Sequence, residues 1–373
     1  MNIEKNDIFK YKNNFKKYSH VKSWLNFGDP NYKSKPHLTI AIPTYKRPEM
    51  LKEAIDSALN QKDFDDYEII VVDNDSECIS KISKTEELIK SYNNPKILYY
   101  KNDENLGIYG NWNRCIELAR GKWYTMLHDD DLLLEDFLKE VFKLIKNTPE
   151  ISCVKARHYI YDQRIDAKKK KFKEKLKNLL GKVQRYNELD FLISNPIGGP
   201  VGIVMEREKA VAIGGFNEEY YPSSDYVFFT NYCTKYNIYY YNKVLCFYRI
   251  SKNESLNNGT MIKATRVHYD VINILRGKNN FRNFFFKEYS LYFSLRALKE
   301  IKSLWRVEVK KEEMQFLGDN PRLNPLVYYF YFIFKGLWIL KRSIPLRPFK
   351  KKRTFKNIIS RVKNLKFSLL KLK

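Results

Sequence analysis

Trp123-Tyr-Thr-Met-Leu-His-Asp-Asp-Asp-Leu-Leu-Leu134 is the stretch on which the reading of this chain turns. Its first five residues are an apolar run of β-formers without a breaker, the pattern of a buried strand. The run meets His128 and then consecutive carboxylates, Asp129, Asp130 and Asp131, before apolar residues return in a helical pattern. Adjacent carboxylates repel one another, which costs stability unless a cation or strong donors neutralise them. A hard divalent cation, Mn²⁺ or Mg²⁺, would do so, because such ions take oxygen ligands and share them with substrate phosphates. The same residues also suit a helix start, with Asp131 as N-cap and the others solvated beside it. The segments around them have to discriminate.

Upstream, Leu38-Thr-Ile-Ala-Ile-Pro43 reads as a short buried strand, with Thr44, Tyr45, Lys46 and Arg47 as the following turn. Pro48 suits the first position of a helix whose Leu51, Ala54, Ile55, Ala58 and Leu59 share one face. Tyr67–Asp73 is a second strand, β-branched in its middle and ending on Asp73-Asn74-Asp75-Ser76. A helix is expected over Glu86–Tyr92 and a third strand over Lys96–Lys101. Asn105-Leu106-Gly107 turns into a helix carrying Trp112, Ile116, Leu118 and Ala119, expected to stop at Gly121 as a C′ glycine. Strands alternating with helices predict an α/β class, a doubly wound, largely parallel sheet. Ligands of such sheets sit beyond the carboxyl ends of the strands. Those ends carry Thr44, Tyr45 and Arg47, then Asp73 and Asp75, then Asp129 and Asp131. Acidic residues at two strand ends on one sheet edge favour a nucleotide–metal site over separate helix caps.

Downstream, a helix over Phe137–Ile145 precedes a strand over Ile151–Tyr161. Ala167–Arg185 holds the basic run Lys168–Lys171, Lys173, Lys175 and Lys177, a solvated segment or a lid over a phosphorylated ligand. Asn195-Pro-Ile-Gly-Gly-Pro-Val-Gly202 is either a plain loop or a close backbone approach to a ligand, through Gly198 and Gly199. A strand at Ile203–Met205 and a helix at Glu208–Ile213 lead to Gly214-Gly215. Ser223 or Ser224 would cap a helix running to Tyr236, with Asp225 in its first turn. That carboxylate is explained either by the helix dipole or as a general base aimed into the cleft. Ile238–Tyr241 and Val244–Arg249 read as closing strands.

The chain divides into a basic N-terminal extension (1–36), an α/β domain (37–255) and a helical C-terminal region (256–373). The last contains an apolar segment at 326–340 and a tail at 341–373 with thirteen Lys or Arg and no acid. Ile358, Val362, Leu365, Leu369 and Leu372 recur on that tail at helical spacing, the pattern of an in-plane anchor on an anionic membrane. Nucleic acid is the less suitable partner, because a phosphate backbone needs no apolar face. The formal charge of +25 implies a polyanionic partner, and 44% hydrophobic residues exclude a disordered chain. Five scattered cysteines without CxxC spacing argue against a disulfide framework or zinc site. Residues 1–15 show no apolar signal region, so the expected location is cytoplasmic, peripheral on the inner face of the cell membrane.

Taken in order, these motifs resemble the family 2 glycosyltransferases, with their GT-A, Rossmann-like nucleotide-binding fold, over roughly 37–250. Leu38–Arg47 is similar to the family's opening strand and nucleotide-binding turn, and Ile69–Ser76 to its second strand. Asn105-Leu-Gly107 with Asn113-Arg114 resembles its asparagine–glycine segment, and His128–Asp131 its metal-binding DXD. Gly214-Gly215-Phe216 followed by Ser224-Asp225 resembles its GGF and base motifs. The resemblance implies a nucleotide site drawn from Pro43, Thr44, Tyr45, Arg47, Asp73, Asp75, Asn105, Gly107, Arg114, Asp129 and Asp130. It also implies Mn²⁺ or Mg²⁺ on Asp131 with Asp129, one of two registers that the triple aspartate 129–131 permits, Asp225 as general base, and an acceptor or sugar loop at Gly198, Gly199 and Ser224. The implied reaction is metal-dependent, inverting transfer from a nucleotide sugar, by family frequency a UDP-sugar. The acceptor would be a glycan or lipid-linked hydroxyl in surface polysaccharide biosynthesis, such as capsule or lipopolysaccharide. Two departures stand out: Ser224 replaces the first carboxylate of the usual acidic pair, and no QxxRW signature is present, which predicts transfer of one or a few sugars. A sugar-phosphate nucleotidyltransferase would carry a glycine-rich loop where Pro43–Arg47 has none. A basic binding protein with a degenerate transferase fold is the non-catalytic alternative. No GxGxxG follows any strand, against a dinucleotide dehydrogenase.

Overall fold

Both faces of the central strands are apolar, and this fixes a layered architecture. Ile40 and Ile42 point to one side of the sheet and Ala41 to the other, while Ile69 and Val71 oppose Ile70 and Val72. Strands buried on both faces read as unbroken apolar runs and must be covered by helices on each side. The computed structural model describes residues 9–78, 82–162, 183–193, 195–250, 258–275, 280–305 and 310–317. The lysine run at 168–177, the apolar segment 326–340 and the basic tail 341–373 lie outside the described residues, and with them the expected lid and membrane anchor. Among the described residues no helix is long and apolar enough to cross a membrane.

The strands are β1 (Ser23–Phe27), β2 (Leu38–Thr44), β3 (Tyr67–Asp73), β4 (Ile97–Asn102), β5 (Trp123–Met126), β6 (Leu132–Leu133), β7 (Cys153–Asp162), β8 (Val183–Arg185), β9 (Ile203–Glu206) and β10 (Ile238–Ile250). The helices are α1 (Pro48–Leu59), α2 (Lys84–Tyr92), α3 (Gly107–Leu118), α4 (Phe137–Asn147), α5 (Glu188–Ile193), α6 (Arg207–Ala212), α7 (Ser224–Lys235), α8 (Asn258–Leu275) and α9 (Asn280–Trp305). The sheet order is β1-β4-β3-β2-β5-β9-β7-β10-β6, with β8 on β10.

The parallel block β4-β3-β2-β5 is the doubly wound half. The rest corrects the expectation of a mostly parallel sheet. β1, β6, β8 and β9 all pair antiparallel, so the sheet is mixed, and among the described residues only β7–β10 adds another parallel pair. Short apolar runs carry no signal of direction, so the sequence could not distinguish these strands from parallel ones. The segment set apart as an N-terminal extension supplies the edge strand β1, and Asn14 bonds Gly214 through its main-chain N–H and its side chain. The two closing strands are one bulged strand, β10, whose register shifts between Tyr241 and Cys246.

Gly121 does not end α3. The helix stops at Leu118, with Ala119 already extended, and Gly121 is needed two residues later for close packing. A Cβ there would lie 2.5 Å from Thr39 N and 2.7 Å from Leu38 C.

The chain runs β2, β3, β4 to one side and returns to place β5 on the other side of β2. The connections therefore part between β2 and β5, leaving a crevice at their carboxyl ends where such sheets bind ligands.

Candidate active site

Thr44, last residue of β2, donates from Oγ1 to Asp129 Oδ2 at 2.9 Å, bridging that crevice. The other oxygen of Asp129 faces Arg47, whose guanidinium lies 3.4 Å from it and bonds Asp130 Oδ2 at 3.1 Å. Burial pushes Asp129 up to about 6 despite the opposing pull of Arg47. The helix-cap reading of these carboxylates does not hold. Leu132 and Leu133 pair with Phe247 and Cys246 on β10, and α4 begins only at Phe137, after Asp136.

The chain turns at 128–131, where Asp131 N–H donates to His128 O at 3.1 Å. That turn brings one ligand atom each from His128, Asp130 and Asp131 within 4.8 Å of one another. Asp131 is fully buried; Oδ1 accepts from Arg249 N at 2.9 Å, and Oδ2 has no hydrogen-bond partner. His128 Nε2 is likewise buried and unpartnered, and its ring stacks on Trp112 with centroids 4.9 Å apart. Burial lowers the His128 pKa and raises that of Asp131, with Asp130 adding to the latter. A neutral imidazole and a buried carboxylate with an open oxygen are donors suited to a divalent cation. The side chains that come together are His128, Asp130 and Asp131, whereas Asp129, expected to pair with Asp131, is turned to Thr44 and Arg47.

A cleft of about 610 Å³ opens in front of this group. Of the residues expected there, Pro43, Thr44, Tyr45, Arg47, Asn105, Gly107, Asp129, Asp130, Gly199 and Asp225 line it, while Asp131 lies behind. Gly198 and Ser224 do not line it, and Ser224 is fully buried. Gly198 and Gly199 take φ of +61° and +104°, which only glycine adopts without strain.

Three expected nucleotide contacts are placed elsewhere. Asp73 is fully buried, accepting from Tyr99 Oη at 2.7 Å and Asp75 N at 3.0 Å, and burial raises its pKa. Asp75 is buried facing Lys46, 3.7 Å away. The residue between them, Asn74, lines the cleft instead. Its Nδ2 donates to Asn105 Oδ1 at 2.7 Å, and its Oδ1 accepts from Leu106 N at 2.9 Å. Arg114 clamps the N-terminal segment, donating to Tyr18 O and Val21 O at 2.9 and 3.0 Å and to Ser23 Oγ. Arg114→Ala should therefore cost about 3 kcal/mol of stability, since it strips a buried charge network, yet leave nucleotide affinity unchanged. Urea unfolding and calorimetric titration with a nucleoside diphosphate would check the pair. Weakened binding with unchanged stability would restore Arg114 to the nucleotide site.

Asp225 sits in the first turn of α7, on the cleft wall. Burial raises its pKa, opposed by main-chain N–H groups of the helix start and by Asn195, whose Nδ2 lies 3.4 Å from Oδ2. Tyr109 Oη donates to Pro222 O at 2.6 Å and accepts from Ser224 N at 3.3 Å, tying α3 to the turn that carries Asp225. Tyr109 and Trp112 line the cleft from α3, and Thr260 lines it from α8. Periodicity carries no signal for them, because an aromatic facing a cleft and one facing a core share the same helical spacing.

Residues 39–208 match the family model described as glycosyl transferase family 2. An uncharacterised glycosyltransferase of Methanocaldococcus jannaschii is 31% identical over 197 residues, 52% of this chain and 63% of that protein. The GalNAc(5)-diNAcBac-PP-undecaprenol beta-1,3-glucosyltransferase of Campylobacter jejuni is 28% identical over 246 residues, 65% of this chain and 74% of its own length. The fold is similar to that of Staphylococcus aureus TarS residues 1–349 in complex with UDP-GlcNAc. There the TM-score is 0.53 at 15% identity, covering 75% of this chain and 78% of that one. Residues 39–208, a little under half of the chain, are thus similar to glycosyl transferase family 2.

Proposed function

We propose that this protein transfers a sugar from a nucleoside-diphosphate sugar to a hydroxyl of a glycan or lipid-linked acceptor, inverting the anomeric centre. The observation that carries this reading is a single cleft lined by His128, Asp129, Asp130 and Asp225 together. His128, Asp130 and Asp131 would hold a divalent cation; the buried, unpartnered Asp131 Oδ2 and His128 Nε2 fit one, and Asp130 would share its charge with Arg47. An imidazole beside carboxylates suits Mn²⁺ better than Mg²⁺. When bound, the ion stabilises developing charge on a leaving diphosphate as a Lewis acid.

The chain's own residues do the rest. Tyr45, 42% exposed at the end of β2, offers a ring face on which a base can stack. Asn105 is held in place by Asn74 and by Gly107 N, which donates to its Oδ1 at 2.9 Å. Arg47 partly neutralises Asp129 and Asp130 at the diphosphate position. Asp225 takes the proton from the acceptor hydroxyl as it attacks the face opposite the leaving group, so the Asp225 wall is the acceptor side. A carboxylate held above its ordinary range by burial is the stronger base once ionised. One displacement inverts the centre, and no covalent nucleophile is needed.

The C. jejuni relative and the Salmonella abequosyltransferase RfbV, 38% identical over 106 residues, support a surface-polysaccharide or lipid-linked acceptor. The basic tail at 341–373 supports work at the inner membrane face. UDP-sugars are the first donors to test. In a thermal-shift screen of nucleotide sugars, the substrate should stabilise the protein only with Mn²⁺ present, and turnover should release free nucleoside diphosphate. Pyrophosphate as product would instead establish nucleotidyl transfer.

A further inference from the structure

Strand β7 carries a lysine that the proposed mechanism does not use. Lys155 lies in register with Ile203 of β9 and Tyr240 of β10, and it is 2% exposed. Among the described residues no carboxylate forms a direct ion pair with it, and Asp131 and Asp225 act on its charge only through space. Its ammonium donates instead to two main-chain carbonyls, Gly199 O at 3.0 Å and Val201 O at 2.6 Å. Burying an ammonium without a direct counter-ion costs several kcal/mol, and a methionine would fill the same volume without that cost. A merely structural role therefore explains the lysine poorly.

The two carbonyls flank Pro200 in the loop 195–202, and that loop touches the chemistry at both ends. Asn195, at its start, reaches Asp225 Oδ2, and its Oδ1 accepts from Ile197 N at 3.2 Å and Gly198 N at 3.3 Å. Gly199 and Pro200 line the cleft itself. Gly198, Gly199 and Gly202 all have positive φ, so the loop has high conformational entropy to lose; Ile197 and Val201 anchor it in the core, and Ala156 N–H holds Gly202 O at 2.8 Å. A Cβ at Gly198 or Gly199 would meet nothing within 4 Å, so packing does not hold those two residues.

We propose that Lys155 is a positioning residue for the acceptor half of the reaction. It pins the 195–202 loop so that Gly199 and Pro200 form the acceptor wall and Asn195 holds Asp225, and its hydrogen bonds go to that loop and not to the donor side. The assignment of sides rests on the glycosyl-transfer reading above; the pinning does not.

The test uses the full chain and two variants. Lys155→Met removes the ammonium and keeps the stem; Pro200→Gly loosens the loop and leaves the ammonium in place. Hydrogen–deuterium exchange of residues 197–202 should accelerate roughly tenfold in both, because the loop then opens locally. Affinity for UDP with Mn²⁺, or for whichever of UDP, GDP, dTDP and CDP stabilises the parent protein, should stay within about twofold. Turnover of the nucleotide sugar should fall roughly 100-fold with little change in donor KM, the cost of misplacing a reacting group by about 1 Å. Lys155→Arg, which restores donors, should recover part of the loss. Unchanged loop exchange in Lys155→Met would overturn the pinning whether or not an activity is found. Equal losses in nucleotide affinity and turnover would overturn the acceptor-side role. A parent protein that turns over no nucleotide sugar, with loop exchange accelerated as expected, would sink the glycosyl-transfer reading and leave the pinning established.

Discussion

Asp225→Asn is expected to lower sugar transfer by roughly 10²–10⁴-fold, the range for loss of a positioned general base, while nucleoside diphosphate affinity stays within about twofold. The asparagine keeps the size of the side chain and the contact with Asn195, so the wall of the cleft remains formed. Stability supplies the control. Burial raises the folded-state pKa of Asp225 above that of the unfolded chain. The folded protein therefore binds more protons in that window, and ionising the group costs stability as pH rises through it. A neutral asparagine escapes that cost. At pH 7 the variant should unfold at the same urea concentration as the parent or a higher one, so lost activity could not be ascribed to lost fold. A variant that retained turnover would remove Asp225 from the mechanism.

Asp131→Asn carries the second large effect. A bound cation is worth several kcal/mol of transition-state stabilisation, so transfer should fall roughly 10³-fold and Mn²⁺ should no longer raise the melting temperature. The metal-free protein should behave in the opposite sense. Burial and the neighbouring Asp130 hold Asp131 well above the ordinary carboxylate range, and burial pushes Asp129 up to about 6. Both are acids whose folded-state pKa is raised, so their contribution to stability falls as pH rises through the raised values. For Asp129 that window runs from about 4 to about 6 and is worth about 3 kcal/mol. In chelator, Asp131→Asn should be more stable than the parent at pH 7, and the difference should vanish below about pH 4. Urea unfolding at the two pH values reads it directly. A variant less stable at pH 7 without metal would mean that Asp131 is a structural acid.

Much of this site is legible in the sequence, and the reason is local. Apolar runs such as Leu38–Ile42 and Ile69–Val72 announce doubly buried strands, and polar residues at strand ends announce a ligand edge. Thr44, Asp129 and Asp130 stand out in that way, Asp225 by its place in the first turn of a helix, and all four line one cleft. What local pattern cannot supply is direction and distance. Asp73 and Asp75 lie beside the right strand end, yet they face Tyr99 and Lys46, and Asn74 between them takes the cleft position. Arg114 sits on the right helix but faces the N-terminal segment. His128 belongs to the aspartate motif, and its role emerges only from the turn that sets it beside Asp131. Lys155 is the extreme case. Nothing in Cys153-Val-Lys-Ala-Arg157 shows that its lysine is buried and bonds the carbonyls of the 195–202 loop.

The central claim is that one cleft holds the leaving diphosphate on the side of His128, Asp130 and Asp131 and activates the acceptor from Asp225 opposite. The anomeric configuration of the product tests it most directly. Proton NMR of the glycoside made from an α-linked nucleotide sugar should show a β linkage, because a single displacement driven by one base inverts the centre. An α-linked product would require a second displacement and a covalent nucleophile, and would contradict both the role of Asp225 as sole base and that of its wall as the acceptor side.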